Sequence, residues 1–145
     1  MKELEKEGGV PLEPQGRRLG AWQMRHVLLV EDHAAFRGAL ITMLNMQPDL
    51  EVVRQSGSLA EARAAAALEE VDVAVVDVFL PDGNGVELVR ELRRADPGLS
   101  IVILTAGVDP KLHALAFEAG ADEVCVKAEG IEEIIKAIRG VAADR

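Results

Sequence analysis

Aromatic residues are scarce in this sequence. Three phenylalanines and one tryptophan account for 3% of its 145 residues, whereas 49% of the residues are hydrophobic. The core must therefore be aliphatic and consist of Val, Leu, Ile and Ala. A chain of this length and apolar content is expected to fold as a single domain, with room for a tail.

Cysteine and net positive charge are also lacking. Cys125 is the only cysteine, so no internal disulfide can form, which favours a reducing compartment. The net charge of -9 argues against a nucleic-acid partner, because phosphate backbones are bound by clusters of Lys and Arg. The same charge is compatible with a site in which carboxylates surround a divalent cation.

Targeting signals are missing as well. Residues 1–24 contain no apolar stretch of the kind found in a signal peptide. No apolar run approaches the ~20 residues that a membrane-spanning helix needs. We therefore expect a cytoplasmic protein without membrane contact.

Residues 1–24 are rich in Gly, Pro and charged residues and poor in β-branched residues. Such a segment buries too little apolar surface to offset the entropy of ordering. We predict a disordered N-terminal tail over 1–24 and one folded domain over 25–145. The alternative is that the tail is a short docking segment that uses Leu19 and Trp22.

Beyond the tail, five apolar segments alternate with five segments of helical periodicity. The predicted strands are 26–30, 51–55, 71–77, 101–104 and 124–126, and the predicted helices are 34–46, 60–68, 85–94, 110–119 and 131–141. Each connection is long enough to hold a helix, so the strands should be parallel, with right-handed crossovers and helices on both faces. The expected fold class is doubly wound α/β.

Local signals support several helix ends. Ser58 and Glu61 have the spacing of a capping box before the second helix. Asp109 precedes Pro110, a residue favoured at the first position of a helix. Gly120 fits a C-terminal cap of the same helix.

Polar residues end four of the predicted strands. Glu31 and Asp32 follow the first strand, and Asp77 ends the third. Thr105 follows the fourth strand, and Lys127 follows the fifth. The carboxyl ends of parallel strands lie at one edge of a sheet, where open α/β folds bind ligands, so these side chains should converge in one cleft.

Three carboxylates in one cleft repel each other, and their pKa values rise unless a cation is present. Mg²⁺ would relieve the repulsion, because it binds oxygen ligands and keeps a position for a phosphate oxygen. A carboxylate such as Asp77 can attack a phosphoryl group and form an acyl phosphate. A metal ion and an amine would neutralise charge during that transfer, and a hydroxyl could hydrogen-bond a phosphate oxygen.

Four motifs occur in order along the chain: VLLVEDH (27–33), VAVVDVFLPDGNGVEL (73–88), VILTA (102–106) and GADEVCVKAEGIEEIIKAI (120–138). In this order and spacing, the chain closely resembles the receiver domain of two-component response regulators. The resemblance covers nearly everything except the tail. It implies a flavodoxin-like (CheY-like) (βα)5 fold with a five-stranded parallel sheet in the order 2-1-3-4-5.

The resemblance also implies a role for each residue of the acidic cluster. Asp77 would accept a phosphoryl group from the phosphohistidine of a sensor histidine kinase. Asp32 would bind Mg²⁺ directly, and Glu31 would bind it through a water molecule. Asp77 and the backbone carbonyl of Phe79 would complete the metal site.

Two further implied roles concern the phosphoryl group. Lys127 would pair with a phosphate oxygen. Thr105 would move toward the phosphate and couple the site to the face made by the fourth helix, the fifth strand and the fifth helix. On this interpretation the chain is a signalling domain rather than an enzyme. Phosphorylation is expected to favour a homodimer, for which the apolar last helix is a candidate surface.

The sequence departs from the family pattern at several positions. Ala128 replaces a proline that many receivers have after the lysine, as in the NarL/FixJ-type subfamily. Members of that subfamily usually carry a C-terminal helix-turn-helix domain, and we expect no DNA binding by the present chain alone. Val124 stands where an aromatic switch residue is common, so the readout of a Thr105 movement must differ. Phe79 is apolar where polar residues are common, and its ring could shield an acyl phosphate from water.

Alternative functions fit fewer of these residues. A pseudo-receiver would keep the fold as a protein-interaction module without the phosphate switch, as the absent aromatic at Val124 suggests. A phosphohydrolase of the haloacid dehalogenase kind would need a second Asp two residues after the nucleophile, where Phe79 stands. A Rossmann cofactor site is disfavoured because Leu88 replaces the third glycine of the dinucleotide motif.

The remaining polar candidates are expected to be structural. His33 should be a surface residue that begins the first helix, because hard cations prefer oxygen ligands. His113 should be solvated in the middle of a helix. Cys125 alternates within a buried strand, so we expect it to pack inertly rather than react.

Overall fold

The computed structural model describes residues 24–65 and 68–143. They form a parallel sheet of five strands, labelled β1 to β5 in chain order. The strands are β1 Arg25–Val30, β2 Leu50–Ser56, β3 Val73–Asp77, β4 Ser100–Thr105 and β5 Glu123–Val126. Their order is β2-β1-β3-β4-β5, and all four pairings are parallel. The predicted fold class and strand order are confirmed.

Five α-helices connect or follow the strands. They are α1 Ala34–Asn45, α2 Leu59–Ala65, α3 Gly85–Ala95, α4 Pro110–Ala119 and α5 Ile131–Ala143. Helices α1 and α5 pack on one face of the sheet, and α2, α3 and α4 pack on the other. Apart from Met24, the predicted tail over 1–24 and its docking alternative lie outside the described residues.

The core has two aliphatic layers, one on each face of the sheet. Along β1, Val27 and Leu29 point to the layer of α1 and α5, whereas Leu28 and Val30 point to the opposite layer. All four of these side chains are fully buried. Burial on both faces explains why the central strands β1, β3 and β4 contain continuous apolar runs rather than alternating polar and apolar residues.

A small hairpin follows β3 and leads into α3. In this hairpin, residues 79–84, Phe79 pairs with Asn84 and Leu80 pairs with Gly83 in antiparallel register. The side chain of Asn84 accepts a hydrogen bond from the amide of Val86 at 2.7 Å and so caps α3. The 79–84 hairpin therefore begins two residues after Asp77 and ends at a fixed helix terminus.

The second helix differs most from its prediction. Its described part is Leu59–Ala65, and Leu68–Glu70 form a 3₁₀ turn, so the α-helix does not include residue 68. The Ser58 hydroxyl accepts a hydrogen bond from the Glu61 amide at 3.1 Å, as a capping box requires. The Glu61 carboxylate, however, accepts from the amide of Gly57 at 2.7 Å instead of returning to Ser58. Only half of the predicted box forms.

The two histidine predictions had different outcomes. His33 is exposed, and its Nδ1 accepts a hydrogen bond from the amide of Phe36 at 3.1 Å, so it caps α1 as predicted. The prediction for His113 is wrong, because α4 half-buries this side chain. Its Nε2 is buried and finds no hydrogen-bond partner among the described residues.

Cys125 is buried in β5, as predicted. Burial raises the pKa of its thiol to about 11, and the nearby glutamates add to this effect. A thiol with such a pKa stays protonated at neutral pH, which fits inert packing.

The apolar stripe of α5 is used inside the domain. Ile134, Ile135, Ile138 and Val141 are all buried in the layer that α5 shares with α1. The stripe therefore supplies no exposed dimer surface, and dimerisation stays a prediction that rests on the family alone. Within the part of the chain that the structure describes, no helix is both long and apolar enough to cross a membrane.

Candidate functional site

The polar residues that end the strands meet at one edge of the sheet. Asp77 and Thr105 are the last residues of β3 and β4. Glu31 and Asp32 directly follow β1, and Lys127 directly follows β5. Parallel pairing of these strands brings all five positions to the carboxyl edge, as the sequence predicted.

Lys127 is the central contact of the site. Its Nζ donates a hydrogen bond to Asp77 Oδ2 at 2.9 Å. The same Nζ lies 2.9 Å from Glu31 Oε1, outside hydrogen-bond geometry, so this contact is an ion pair. The Nζ also lies 5.2 Å from the ring centroid of Phe36, within the range of a cation–π contact. One ammonium group thus joins two buried carboxylates and an aromatic ring.

Burial shapes the electrostatics of this group. The side chains of Asp77 and Glu31 are 3% and 0% exposed. Burial raises the pKa of Asp77 to about 6, and the charge of Glu31 adds to the effect, while Lys127 opposes it. Burial alone would lower the pKa of Lys127, but its contacts with Glu31 and Asp77 outweigh that effect and raise it. At neutral pH Asp77 is therefore mostly the carboxylate, which is the nucleophilic form.

The acidic cluster has the donor set of a hard-cation site. Glu31, Asp32 and Asp77 each offer a carboxylate oxygen, and these oxygens lie within 4.8 Å of one another. Asp32 is exposed, whereas the other two are buried, so the cluster opens to solvent on the side of Asp32. Oxygen donors of this kind fit Mg²⁺, which also keeps some of its water ligands.

Glu31 is held in place on three sides. Its amide donates to the carbonyl of Ser56 at 2.9 Å, and its own carbonyl accepts from Arg37 Nη1 at 2.7 Å. Its Oε2 accepts a hydrogen bond from the amide of His33 at 3.0 Å. The backbone of Glu31 is thus held by β2 and α1, and its carboxylate is positioned by the amide of the residue that caps α1.

Phe79 contacts the Asp77 carboxylate through its backbone. Its amide donates a hydrogen bond to Asp77 Oδ1 at 3.3 Å. Its side chain is 63% exposed, which is unusual for a large apolar residue beside a polar site. No carboxylate occupies this position, so the site lacks the second aspartate of a haloacid dehalogenase pair.

Thr105 faces its own loop rather than the carboxylates. The side chain is buried, and its Oγ1 donates to the carbonyl of Gly107 at 3.3 Å. The amide of Gly107 in turn lies 3.5 Å from Oγ1 as a donor. The hydroxyl therefore closes the start of the loop between β4 and α4.

Three residues around this site make contacts that their residue types alone do not predict. Phe36 lies in α1, and its position in the helix does not by itself predict the contact with Lys127. Asp82 and Gly85 lie in the turn motif after Asp77, where their residue types are expected for turn chemistry alone.

Comparison with known proteins places this site in a family. Residues 27–139 match the family described as "Response regulator receiver domain". The chain therefore belongs to the response regulator receiver domains of two-component systems. It is 42% identical over 122 residues to the DNA-binding transcriptional activator DevR/DosR of Mycobacterium tuberculosis, covering 84% of this chain and 56% of that protein.

Solved structures agree with this assignment. A two-component response regulator of the LuxR family from Aurantimonas sp. SI85-9A1 superposes with a TM-score of 0.79 at 28% identity, covering 85% of this chain and 88% of that chain. A response regulator from Burkholderia pseudomallei, crystallised with a phosphorylated aspartic acid, a calcium ion and citrate, gives a TM-score of 0.72 at 27% identity. That match covers 83% of this chain and 69% of the other. The present chain spans about half the length of the curated relatives it matches.

Proposed function

We propose that this domain is a phosphoryl acceptor in which Asp77 is phosphorylated by a sensor histidine kinase. The observation that carries the proposal is the placement of Lys127 Nζ at 2.9 Å from both Asp77 Oδ2 and Glu31 Oε1. This arrangement keeps a buried carboxylate next to a cation and a second acid, as phosphoryl transfer to an aspartate requires. The family membership supports the same chemistry.

The proposed reaction is a transfer from a phosphohistidine to a carboxylate. An oxygen of Asp77 forms a bond to phosphorus while the P–N bond to the donor imidazole breaks. The electron pair of the broken bond returns to the imidazole nitrogen, and Asp77 becomes an acyl phosphate. The pKa of about 6 leaves Asp77 ionised at neutral pH, so no general base is needed to activate it.

Charge neutralisation comes from two sources in this proposal. Glu31, Asp32, Asp77 and the carbonyl of Phe79 would hold Mg²⁺, which when bound neutralises charge on the phosphoryl oxygens. Lys127 would exchange its present contact with Asp77 Oδ2 for a phosphate oxygen and keep its ion pair with Glu31. The ammonium group already contacts the carboxylate that would carry the phosphoryl group, so we expect little reorganisation.

Thr105 is the proposed sensor of the phosphate. A hydroxyl that turns toward the phosphoryl group must give up its two contacts with Gly107. The loop between β4 and α4 would then be released, and this loop ends at Asp109, the N-cap of α4. Val124 is half-buried and packs in the core layer of α4. Because this position holds no aromatic ring, we propose that the movement of Thr105 is transmitted through the loop between β4 and α4.

Phosphorylation in solution tests the proposal. The wild type should gain the mass of one phosphoryl group when incubated with acetyl phosphate and Mg²⁺, and chelation of the metal should prevent the gain. Asp77→Ala should not gain this mass. Equal labelling of wild type and Asp77→Ala would sink the proposal, as would failure of both acetyl phosphate and beryllofluoride to modify or perturb the wild type.

What the phosphorylated domain controls is proposed by analogy with its relatives. DevR/DosR is a DNA-binding transcriptional activator, and by analogy the phosphorylated domain would control a DNA-binding partner or an attached domain. A phosphorylation-dependent homodimer is one route to such control. Light scattering with and without beryllofluoride measures it, and an unchanged monomer mass would count against it. The cytoplasmic location likewise stays a prediction.

A pseudo-receiver is the second candidate function, and Val124 is the observation that favours it. In that case the fold serves as an interaction module, and phosphorylation has no consequence for partners. Phosphorylated protein with unchanged oligomeric state and unchanged partner affinity would support this alternative over the first.

A further inference from the structure

We propose that Asp82 is a positioning residue for the metal site, because it fixes the 79–84 hairpin to the N-terminus of α2. The inference rests on the proposed function, in which the backbone carbonyl of Phe79 is a ligand of Mg²⁺. Asp82 does not contact the acidic cluster itself. It acts through the hairpin that carries Phe79.

The contact between Asp82 and α2 uses both carboxylate oxygens. Oδ1 accepts a hydrogen bond from the amide of Leu59 at 2.8 Å, and Oδ2 accepts one from the amide of Ala60 at 3.0 Å. These two bonds lower the pKa of Asp82, so the side chain is ionised throughout the neutral range. An anionic side chain at the first turn also interacts favourably with the helix dipole.

The hairpin also packs closely against α2 next to Asp82. A methyl group built at Gly83 would lie 2.5 Å from Leu59 Cδ1, so the hairpin touches the first residue of α2 through bare backbone. Leu59 is itself buried in the core layer of α2, α3 and α4. The turn of the hairpin is therefore held both by hydrogen bonds and by a side chain that is fixed in the core.

The hairpin is short enough to transmit this constraint to Phe79. It contains only two residue pairs, and Gly83, next to Asp82, is paired with Leu80. The other strand ends at Asn84, which caps α3. On the side of β3, the segment that presents the Phe79 carbonyl is held by Val78, whose amide donates to the carbonyl of Leu104 at 3.0 Å. On its other side it is held by the termini of α2 and α3, so releasing Asp82 removes one of its anchors.

Capping of α2 alone does not explain the contact between Asp82 and this helix. Ser58 already supplies a side-chain cap to this helix by accepting from the amide of Glu61 at 3.1 Å. Ser58 lies on the helix side of the junction and is not part of the hairpin. The two caps therefore provide a matched pair: Ser58 stabilises α2 only, whereas Asp82 also joins α2 to the hairpin.

Mg²⁺ titration by calorimetry separates the two roles in the full chain. We expect Asp82→Ala to weaken Mg²⁺ binding by about tenfold, as is typical when a residue that supports a metal ligand is removed. Asp82→Asn keeps one carbonyl acceptor and should lie between Asp82→Ala and the wild type. Ser58→Ala should bind Mg²⁺ as the wild type does. At saturating Mg²⁺, labelling of Asp82→Ala by acetyl phosphate should recover to the wild-type rate, because the defect lies in metal binding.

Hydrogen exchange provides a second readout, and the outcomes are distinct. In the wild type, Mg²⁺ should slow exchange of the Leu59 and Ala60 amides, and Asp82→Ala should lose this effect. Wild-type Mg²⁺ affinity in a folded Asp82→Ala would overturn the inference while leaving the proposed function intact. An equal loss of affinity in Ser58→Ala would also overturn it. Absence of Mg²⁺ binding by the wild type would overturn both the inference and the proposed metal site.

Discussion

The α-carbon of Gly85 packs directly against the backbone carbonyl of Asp77. A methyl group at Gly85 would lie 2.0 Å from that oxygen and 3.0 Å from Val76 Cγ1. The approach is fixed by a 2.7 Å hydrogen bond from the Gly85 amide to the carbonyl of Val78. The first residue of α3 therefore packs against the end of β3 at Asp77, and only glycine fits there.

Gly85→Ala is the first test of this contact. The new methyl group meets backbone rather than a movable side chain, so β3 or α3 must shift. We expect a loss of about 2–3 kcal/mol in the free energy of unfolding, at the upper end of overpacking costs. Labelling of Asp77 by acetyl phosphate should also fall, because the carboxylate moves with its carbonyl. Urea unfolding and labelling rates measure the two effects.

Gly38→Ala is the matched control for that substitution. Gly38 lies within α1, and a methyl group there would meet nothing within 4 Å. Alanine is the better helix former by about 1 kcal/mol, so this variant should be as stable as the wild type or more stable. Equal unfolding free energies for Gly85→Ala and the wild type would contradict the packing described above.

The second prediction concerns Asp77 and pH. Its pKa of about 6 in the folded protein exceeds the ordinary value of 3.8. Between these values the folded state holds more protons than the unfolded state, so the unfolding free energy of the metal-free protein falls as pH rises through this window. Asp77→Asn has no charge to desolvate and should be more stable than the wild type above pH 6, by about 1–3 kcal/mol.

Mg²⁺ should reverse this penalty where Asp77 is ionised. The cation binds the carboxylate form, so its stabilising effect should be large well above pH 6 and should shrink as the pH falls below 6. Thermal unfolding with and without Mg²⁺ on either side of pH 6 measures the difference. A Mg²⁺ effect that is the same at both pH values would contradict the assigned pKa.

Much of the fold and of the site is predictable from the sequence. Runs such as Val73 to Val76 have the length and β-branched character of strands buried on both faces, and their polar ends locate the site without further information. The boundaries of β4 differ by one residue at each end, which leaves Thr105 at the same edge of the sheet. The local sequence pattern is thus enough to predict the site where each strand is an apolar run that ends at a polar residue.

Contacts between distant segments are what the sequence does not reveal. Asp82 caps a helix that begins 23 residues earlier, and the closeness of Gly85 to Asp77 depends on how α3 lies on the sheet. Burial of His113 depends on which face of α4 packs against the sheet. In a short apolar helix the periodicity of the sequence does not identify that face. In each case the residue type suits several local roles, and the whole sheet decides between them.

The third prediction concerns an ion pair that ties α5 to the segment before β2. Arg139 Nε and Nη2 donate to the two oxygens of Asp49 at 2.9 and 2.7 Å, and Nη2 also donates to Gln47 Oε1 at 2.7 Å. Arg139→Lys keeps the charge but loses the planar pair of bonds. We expect it to lower the unfolding free energy by about 1–2 kcal/mol, because hydrogen bonds to charged groups exceed neutral ones in strength.

The pH dependence of this pair has the opposite sign to that of Asp77. The hydrogen bonds and charge of Arg139 lower the pKa of Asp49 below its ordinary value of 3.8. Its contribution is therefore complete above that value and is lost as the pH falls below it.

Lys136 and Glu133 form an exposed pair on the same helix, and Lys136→Met should cost no more than about 0.5 kcal/mol. Equal costs for Arg139→Lys and Lys136→Met would contradict the role given to Arg139.

The last prediction concerns the lifetime of phosphorylated Asp77. The amide of Phe79 contacts the Asp77 carboxylate, and the side chain of Phe79 is exposed. We expect the ring to keep water away from an acyl phosphate on Asp77. Phe79→Asn should speed hydrolysis by about three- to tenfold, equivalent to about 1 kcal/mol in the barrier. Phe79→Leu keeps an apolar side chain and should stay near the wild-type rate. Both variants keep the backbone carbonyl, so Mg²⁺ affinity should not change. Loss of the phosphoryl mass with time gives each rate, and identical rates for Phe79→Asn and the wild type would show that the ring gives no protection.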